Sequence, residues 1–471
     1  MKRKSMKNVL VVFLVLFILI ISYIGFYYIF NGRNVVMSVY NNRLWSKRRE
    51  VVRGNILDRD GNYLTESKVE GGTNKLKYNG GKAFAHVLGY MDPVYGLTGL
   101  QNTYDLELMG ERRGGIFTTF SKKENLNKGY DLKTTLNEKL QRRAYSLMGK
   151  SRGAVIMMNP KSGEIYTMVS APSYDPNYLQ ENWKIISTDK NSPLINRAVS
   201  GMYPPASTFK IITAIAALEH IEGVEDYKIQ DTGVLKYNGI DVLTNYESKP
   251  HGDIDIEEAF KVSSNVYFGD LGLKLGNKKL KNTAERFYFN KNTSCDGIII
   301  DNSRFPDVGY QEIGTLAQSA IGQNSVLATP MEILITANVI ANNGIFMKPF
   351  LVQEVLENDK IVKKLNPVKV ERIISTKNAK LVKEYMKKTV DEGTGKAAKI
   401  FGLNVYGKTG TAEHENTPQR PPHSWFVGFA GNEEPSISFV VLIEEGGVGG
   451  GRAATIAREL VEYADKLGLV K

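Results

Sequence analysis

An apolar run near the start of the chain restricts it most. Residues Asn8 to Phe30 read NVLVVFLVLFILIISYIGFYYIF and carry no charge. At about 1.5 Å per residue, a helix of this length crosses a hydrocarbon core of about 30 Å. Lys2, Arg3, Lys4 and Lys7 precede the run. Tyr23, Tyr27 and Tyr28 fall toward its far end, where an aromatic belt sits. The competing reading is a cleaved signal peptide, whose apolar region is shorter and ends in small residues. Here the run ends in Tyr-Tyr-Ile-Phe-Asn, so an uncleaved anchor is expected. The positive-inside rule then places residues 1–7 in the cytoplasm, 8–30 in the plasma membrane and the rest outside. Arg33, Arg43, Lys47, Arg48 and Arg49 dilute that signal. The first basic cluster abuts the run directly, and large downstream domains translocate largely regardless of charge.

The remainder, roughly 440 residues, is long enough for two or three domains with a sizeable core. Its composition, 42% hydrophobic and 24% charged, is that of globular protein. Cys295 is the single cysteine, so no internal disulfide forms, and a small buried hydrophobe is its expected role. His414 and His423 lie near Glu413 and Glu415, but their spacing fits no zinc signature, and no metal is expected. The net charge of +11 reads either as a solvated basic surface or as attraction to an anionic surface such as membrane headgroups. No nucleic-acid-binding motif accompanies it.

Residues 31–130 are rich in Gly, Asn and charge, with Gly-Gly pairs at 71–72, 80–81 and 114–115. They read as an irregular, strand-containing module without evident chemistry. A second domain is expected over 131–471. Gly153–Met158 and Glu164–Ser170 read as strands joined by the turn Asn159-Pro160-Lys161-Ser162-Gly163. Ile211–His220 reads as a helix, and 221–400 as mainly helical with loops. Val405–Gly407, Trp425–Ala430 and Ile437–Ile443 read as strands, and 454–467 as a final helix. Strands at both ends of a helical middle predict an α/β sandwich whose sheet is assembled from distant segments.

Three short motifs carry chemistry. Ser207-Thr208-Phe209-Lys210 follows Tyr203-Pro204-Pro205-Ala206. Prolines can precede a helix start, which places Ser207 in a first turn with Lys210 on the same face. A lysine is a useful base only when neutral, and burial and the positive end of the helix dipole favour that form. Free N–H groups at the helix start can bind an oxyanion. The bland alternative is a serine cap and a surface lysine. Ser263-Ser264-Asn265 offers a hydroxyl to relay a proton and an amide to hold a substrate amide, or else a polar turn or helix cap. In Lys408-Thr409-Gly410-Thr411, strand alternation puts Lys408 and Gly410 on one side and Thr409 on the other. Gly410 would let a ligand backbone lie against the strand edge. The charge and hydroxyls suit a carboxylate, and the Thr411 N–H suits an oxyanion. The bland alternative here is an ordinary strand-end turn.

Together, in the order S-x-x-K, S-x-N, K-T-G, the three resemble the set found in penicillin-binding proteins and class A β-lactamases. Other segments extend the resemblance to class B penicillin-binding proteins. They are Arg53-Gly54-Asn55-Ile56-Leu57-Asp58-Arg59-Asp60-Gly61, Gly96–Gln101, Asn196-Arg197-Ala198, Ala320–Gln323 with Thr329-Pro330, Gly393-Thr394-Gly395 and Trp425–Phe429. Four departures stand out: Gln101 for the usual Glu, Ala206 for the usual Gly, Ser264 rather than Asp in the middle of S-x-N, and a short N-terminal module.

The resemblance implies the penicillin-binding transpeptidase fold, a central antiparallel sheet flanked by helices, behind a small pedestal or dimerisation-like module and the membrane helix. It implies a D,D-transpeptidase acting on peptidoglycan stem peptides that end in D-Ala-D-Ala, with β-lactam antibiotics acylating the same serine. Carried over, Lys408, Thr409 and Thr411 hold the donor carboxylate, beside Gly410. Lys210 deprotonates Ser207, the N–H groups of Ser207 and Thr411 stabilise the oxyanion, Ser263 relays the proton and Asn265 orients the donor amide. No metal or organic cofactor and no nucleic acid is implied, and a membrane glycosyltransferase enters as a partner by family analogy alone. Two alternatives stay open: a carboxypeptidase or β-lactamase-like hydrolase on the same scaffold, and a non-catalytic β-lactam-binding scaffold or sensor.

Overall fold

The computed structural model describes residues 2–36, 42–70, 73–110, 128–293, 295–309, 311–413 and 419–471. Helix α1 (Lys2–Val36) contains the apolar run. Its segment Met6–Phe26 has mean hydropathy 3.1 and is not buried, and it is long and apolar enough to cross a membrane.

The core is a five-stranded antiparallel sheet. Its strands are β1 (Gly153–Met158), β2 (Ile165–Ala171), β3 (Asn404–Ala412), β4 (His423–Gly431) and β5 (Ile437–Ile443). They lie in the order β3-β4-β5-β1-β2, so the sheet is indeed assembled from distant segments. Successive residues serve opposite faces. Ala154, Ile156, Val427, Phe429, Val440 and Leu442 enter one core, while Val155, Met157, Phe426, Val441 and Phe439 enter the other. Burial on both faces explains why these strands read as near-continuous apolar runs.

The longer helices of this domain include α2 (Glu138–Met148), α3 (Lys210–His220), α4 (Ile256–Val262), α5 (Asn265–Arg286), α6 (Pro330–Ala341), α7 (Thr376–Asp391) and α8 (Arg452–Lys466), of which α2, α6, α7 and α8 pack on the sheet. On one face α6 packs against β4, β5 and β1; on the other α8 packs against β4 and β5.

The middle segment is less helical than expected. It contains the hairpin Val234–Tyr237/Ile240–Thr244, the pair Ile229–Asp231/Gly252–Ile254, the hairpin Val352–Glu357/Lys360–Lys364, and the pair Ile345–Met347/Lys369–Arg372. Lys360–Lys364 and Lys369–Arg372 are exposed at every position, so no apolar alternation betrays them.

The expected border near residue 130 cuts through a shared sheet. Ile56–Leu57 pairs in parallel with Asp131–Thr134, which pairs with Val352–Glu357. The earlier segment holds the helix Asn42–Glu50 and the hairpin Thr65–Glu70/Thr73–Tyr78. The Gly-Gly pairs at 71–72 and 114–115 lie outside the described residues.

Candidate active site

Ser207 sits in a 3-10 turn, Ala206–Phe209, that feeds directly into α3 at Lys210. The expected helix therefore begins a turn earlier than its apolar run. Pro204 and Pro205 precede it. Ala206 holds the left-handed conformation at φ +50°. A β-carbon is disfavoured there, which gives the family's glycine a physical reason and marks Ala206 as strained. The Ala206 N–H donates to the Gly322 carbonyl at 2.8 Å, so the Ala320–Gln323 segment serves as the floor of the nucleophile turn. Ser207 is partly exposed, while Lys210 is wholly buried.

Ser263-Ser264-Asn265 is the junction between α4 and α5. Ser263 ends α4 in the left-handed conformation (φ +63°). Ser264 is the N-cap of α5, accepting from the Tyr267 N–H, and Asn265 is its first residue. The cap reading is thus realised, and the reversal that caps α5 also turns the Ser263 hydroxyl toward Lys408 and Lys210.

Two amines meet there. Lys408 Nζ donates to Ser263 Oγ at 2.8 Å. Lys210 Nζ lies 3.4 Å from the same oxygen and donates to the Ser263 carbonyl and to Asn265 Oδ1, each at 2.8 Å. Lys210 also lies 5.6 Å from the Phe268 ring centroid, and Lys408 lies 5.6 Å from that of Phe260. Burial pulls the Lys210 amine well below the ordinary lysine range, the nearby Lys408 charge adds to this, and Asp231 opposes it. Burial alone brings Lys408 to about 7. A neutral amine at pH 7 is what a lysine base requires.

The third motif lies on β3. Gly410 faces the nucleophile turn, for a β-carbon there would lie 3.0 Å from Thr208 Cγ2 and 3.1 Å from the Pro205 carbonyl oxygen. The glycine thus admits the chain's own nucleophile turn, a different reason from the ligand approach expected for it. Thr409 Oγ1 lies 2.7 Å from Thr394 Oγ1. Thr411 Oγ1 accepts from the Gly449 N–H, leaving its own proton to donate.

Hydrogen bonds thus join Lys210, Ser263, Asn265 and Lys408 in one cluster, Ser207 lies in the turn that leads into Lys210, and Gly410 packs on that same turn, with Thr409 and Thr411 beside it on the strand. Of the histidines weighed as ligands, His414 lies outside the described residues. His423 Nδ1 accepts from the Glu445 N–H, and no cluster with metal-ligand character occurs among the described residues.

Sequence reasoning missed several supports. Asp231 and Asn245 brace the Ser263–Asn265 turn, but they lie 33 and 19 residues before Ser264 and carry no local signature. Glu444 accepts from Tyr203 Oη and Arg197 Nε, both at 2.6 Å, and Trp425 Nε1 donates to the Pro204 carbonyl. Arg197 and Trp425 lie within segments noted above, which was the available signal.

Comparison with known proteins gives one picture. Residues 153–462 match the family model of the penicillin-binding protein transpeptidase domain, and residues 53–126 that of the penicillin-binding protein A dimerisation domain. The chain is 31% identical over 496 residues to the peptidoglycan D,D-transpeptidase PbpA of Mycolicibacterium smegmatis, covering 98% of this chain and 99% of that one. It resembles the penicillin G acyl-enzyme complex of penicillin-binding protein A from Mycobacterium tuberculosis, with a TM-score of 0.79, 30% identity, and coverage of 88% and 99%. It also resembles the D,D-transpeptidase domain of a peptidoglycan glycosyltransferase from Eggerthella lenta, with a TM-score of 0.79, 30% identity, and coverage of 89% and 100%.

Proposed function

The chain belongs to the class B penicillin-binding proteins, and from that premise we propose that Ser207 is the nucleophile of its acyl transfer. It is a peptidoglycan D,D-transpeptidase that works through a serine acyl-enzyme and is acylated by β-lactams. One observation carries the residue assignment: two buried, pKa-depressed amines converge on Ser263 Oγ, and one of them, Lys210, follows directly on the turn that holds the partly exposed Ser207.

Lys210 takes the proton as Ser207 Oγ bonds to the penultimate D-Ala carbonyl carbon of a donor stem peptide. The N–H groups of Ser207 and Thr411 receive the oxyanion, each such donor contributing about 3 kcal/mol in the transition state. The C–N bond to the terminal D-Ala then breaks, and Ser263 passes a proton to its departing nitrogen. An amine of a neighbouring stem peptide attacks the ester, loses its proton along the same path, and returns Ser207 to its hydroxyl form. Thr409 and Thr411, with the Lys408 charge behind them, hold the donor carboxylate, and the second Asn265 amide hydrogen serves the donor backbone. Apo geometry ties Lys210 to Ser263 and Asn265; such contacts tighten onto the reacting atoms when substrate arrives.

Helix α1 anchors the protein in the plasma membrane, residues 1–7 on the cytoplasmic side and the catalytic domain on the other. A membrane glycosyltransferase that makes the strands is the partner this placement suits.

The test is labelling of the full chain in detergent with a fluorescent penicillin, beside Ser207→Ala. The parent keeps its label through denaturing electrophoresis and the variant takes none. Label retained by a folded Ser207→Ala protein contradicts the assignment.

A further inference from the structure

Asp231 is buried, with 1% of its surface exposed, yet no step above uses it. Its carboxylate accepts from Ser264 Oγ at 2.6 Å, from Asn245 Nδ2 at 2.9 Å and from the Gly233 N–H at 2.8 Å. Asn245 passes the constraint on. Its Oδ1 accepts from the N–H groups of Asn265 (2.7 Å) and Val266 (3.1 Å), and its Nδ2 also donates to the Lys249 carbonyl. The middle and the end of the Ser263–Asn265 turn thus hang from one carboxylate. Ser263 and Asn265 are the residues that Lys210 touches.

We propose that Asp231, acting through Asn245 and Ser264, is a positioning residue that clamps the Ser263–Asn265 turn onto Lys210 and supplies a buried counter-charge to that lysine. A clamp fixes where the amine sits. A counter-charge governs when it is neutral. An asparagine at 231 reproduces the shape but presents an amide where only acceptors fit, opposite Asn245 Nδ2 or the Gly233 N–H.

The charges that bear on Lys210 are Lys408 on β3, which disfavours its proton, and Asp231, which favours it. His251, whose backbone N–H donates to the Asp231 carbonyl just before the paired strand, is acted on by both Asp231 and Lys210. Lys249 and Glu258 act on His251 in opposite senses. Removing the Asp231 charge therefore lets Lys210 stay neutral to lower pH, so the acidic limb of acylation moves down.

The inference rests on the Ser207 reading and is tested apart from it. The parent must label and Ser207→Ala must not; only then do the variants speak to Asp231. Second-order rates of penicillin labelling are measured from pH 5.5 to 9.5 on the full chain, alongside thermal melts. Asp231→Asn is expected to lower the plateau rate roughly 10- to 100-fold, as misplacement by about an ångström does. It is also expected to move the acidic limb down by roughly one unit. Ser264→Ala keeps the charge and loses one strut, so its plateau falls while its limb stays. The double variant Asp231→Asn/Asn245→Asp restores a carboxylate within the clamp and brings the limb back up. A folded Asp231→Asn protein with the parent's rate, or with a reduced rate on an unmoved limb, overturns the proposal. If Asp231→Asn does not fold, a Ser264→Ala plateau equal to the parent's overturns it instead.

Discussion

Lys408 shows what this site asks of a single side chain. It is fully buried, its amine between Ser263 Oγ and the Thr409 carbonyl, and burial lowers its pKa to about 7. In the unfolded chain the same amine titrates near the ordinary lysine value of about 10.4. Between those values the unfolded state binds more protons, so this residue's penalty is full below about pH 7 and shrinks as pH rises. Lys408→Met removes the buried amine at similar length. It is expected to raise the melting temperature more at pH 6 than at pH 9 while reducing penicillin labelling, which paired melts and labelling at the two pH values check. Such a trade is common where function needs a strained or charged interior. At this scale the sequence singled out Ser207, Lys210, Ser263 and Lys408, because each stands in a short motif. It was silent on Asp231 and Asn245, which meet Ser264 and Asn265 respectively only through tertiary pairing of Ile229–Asp231 with Gly252–Ile254 and closure of the 233–245 loop.

At the scale of elements, the site is where the turn before α3, the α4–α5 junction and the middle of β3 converge. The closest of these contacts is β3 on the nucleophile turn. At Gly410 a β-carbon would meet Thr208 Cγ2, the Pro205 carbonyl oxygen and Trp425 Cβ, all at 3.0–3.1 Å. Gly410→Ala is therefore expected to push β3 off the turn, cost about 1–3 kcal/mol of stability and slow labelling by about ten-fold or more. Thermal melts beside labelling rates would show both; an unchanged rate would mean the strand has room to spare. The five central strands were legible because burial on both faces makes them apolar throughout. The strands of the middle segment were not. They are three to six residues long, and several are exposed on both sides, as in Lys360–Lys364. The register with which Ile56–Leu57 joins Asp131–Thr134 has no local pattern at all.

Across the whole molecule, the region before residue 131 is fastened to the transpeptidase domain by more than a linker. Tyr104 Oη donates to Asp296 Oδ2 at 2.6 Å and Thr103 Oγ1 to the Gly297 carbonyl at 2.9 Å. Inside that region, Asp105 accepts from both Arg48 and Arg53, and Arg53 also holds Gln101 through its side chain and its carbonyl. Burial draws the Arg53 pKa down and Asp105 opposes it. Asp105→Asn leaves two buried guanidinium groups without their carboxylate, which typically costs about 3–5 kcal/mol. Because the sheet is shared, the loss is expected to lower one cooperative melt of the whole extramembrane part; two separate melts would mean the two regions unfold independently. The N-terminal apolar helix was the plainest feature in the sequence, since a run that long and uncharged has the length and composition to cross a membrane.

The most direct measurement is a cross-linking assay. The full chain in detergent is given a donor stem peptide ending in D-Ala-D-Ala and an excess of acceptor bearing a free amine, and the products are weighed by mass spectrometry. The account predicts one D-Ala released per new amide bond, with both signals absent in Ser207→Ala. Release of D-Ala with water in place of the acceptor, at saturating amine, would make the protein a hydrolase, and cross-links surviving in Ser207→Ala would remove Ser207 from the chemistry.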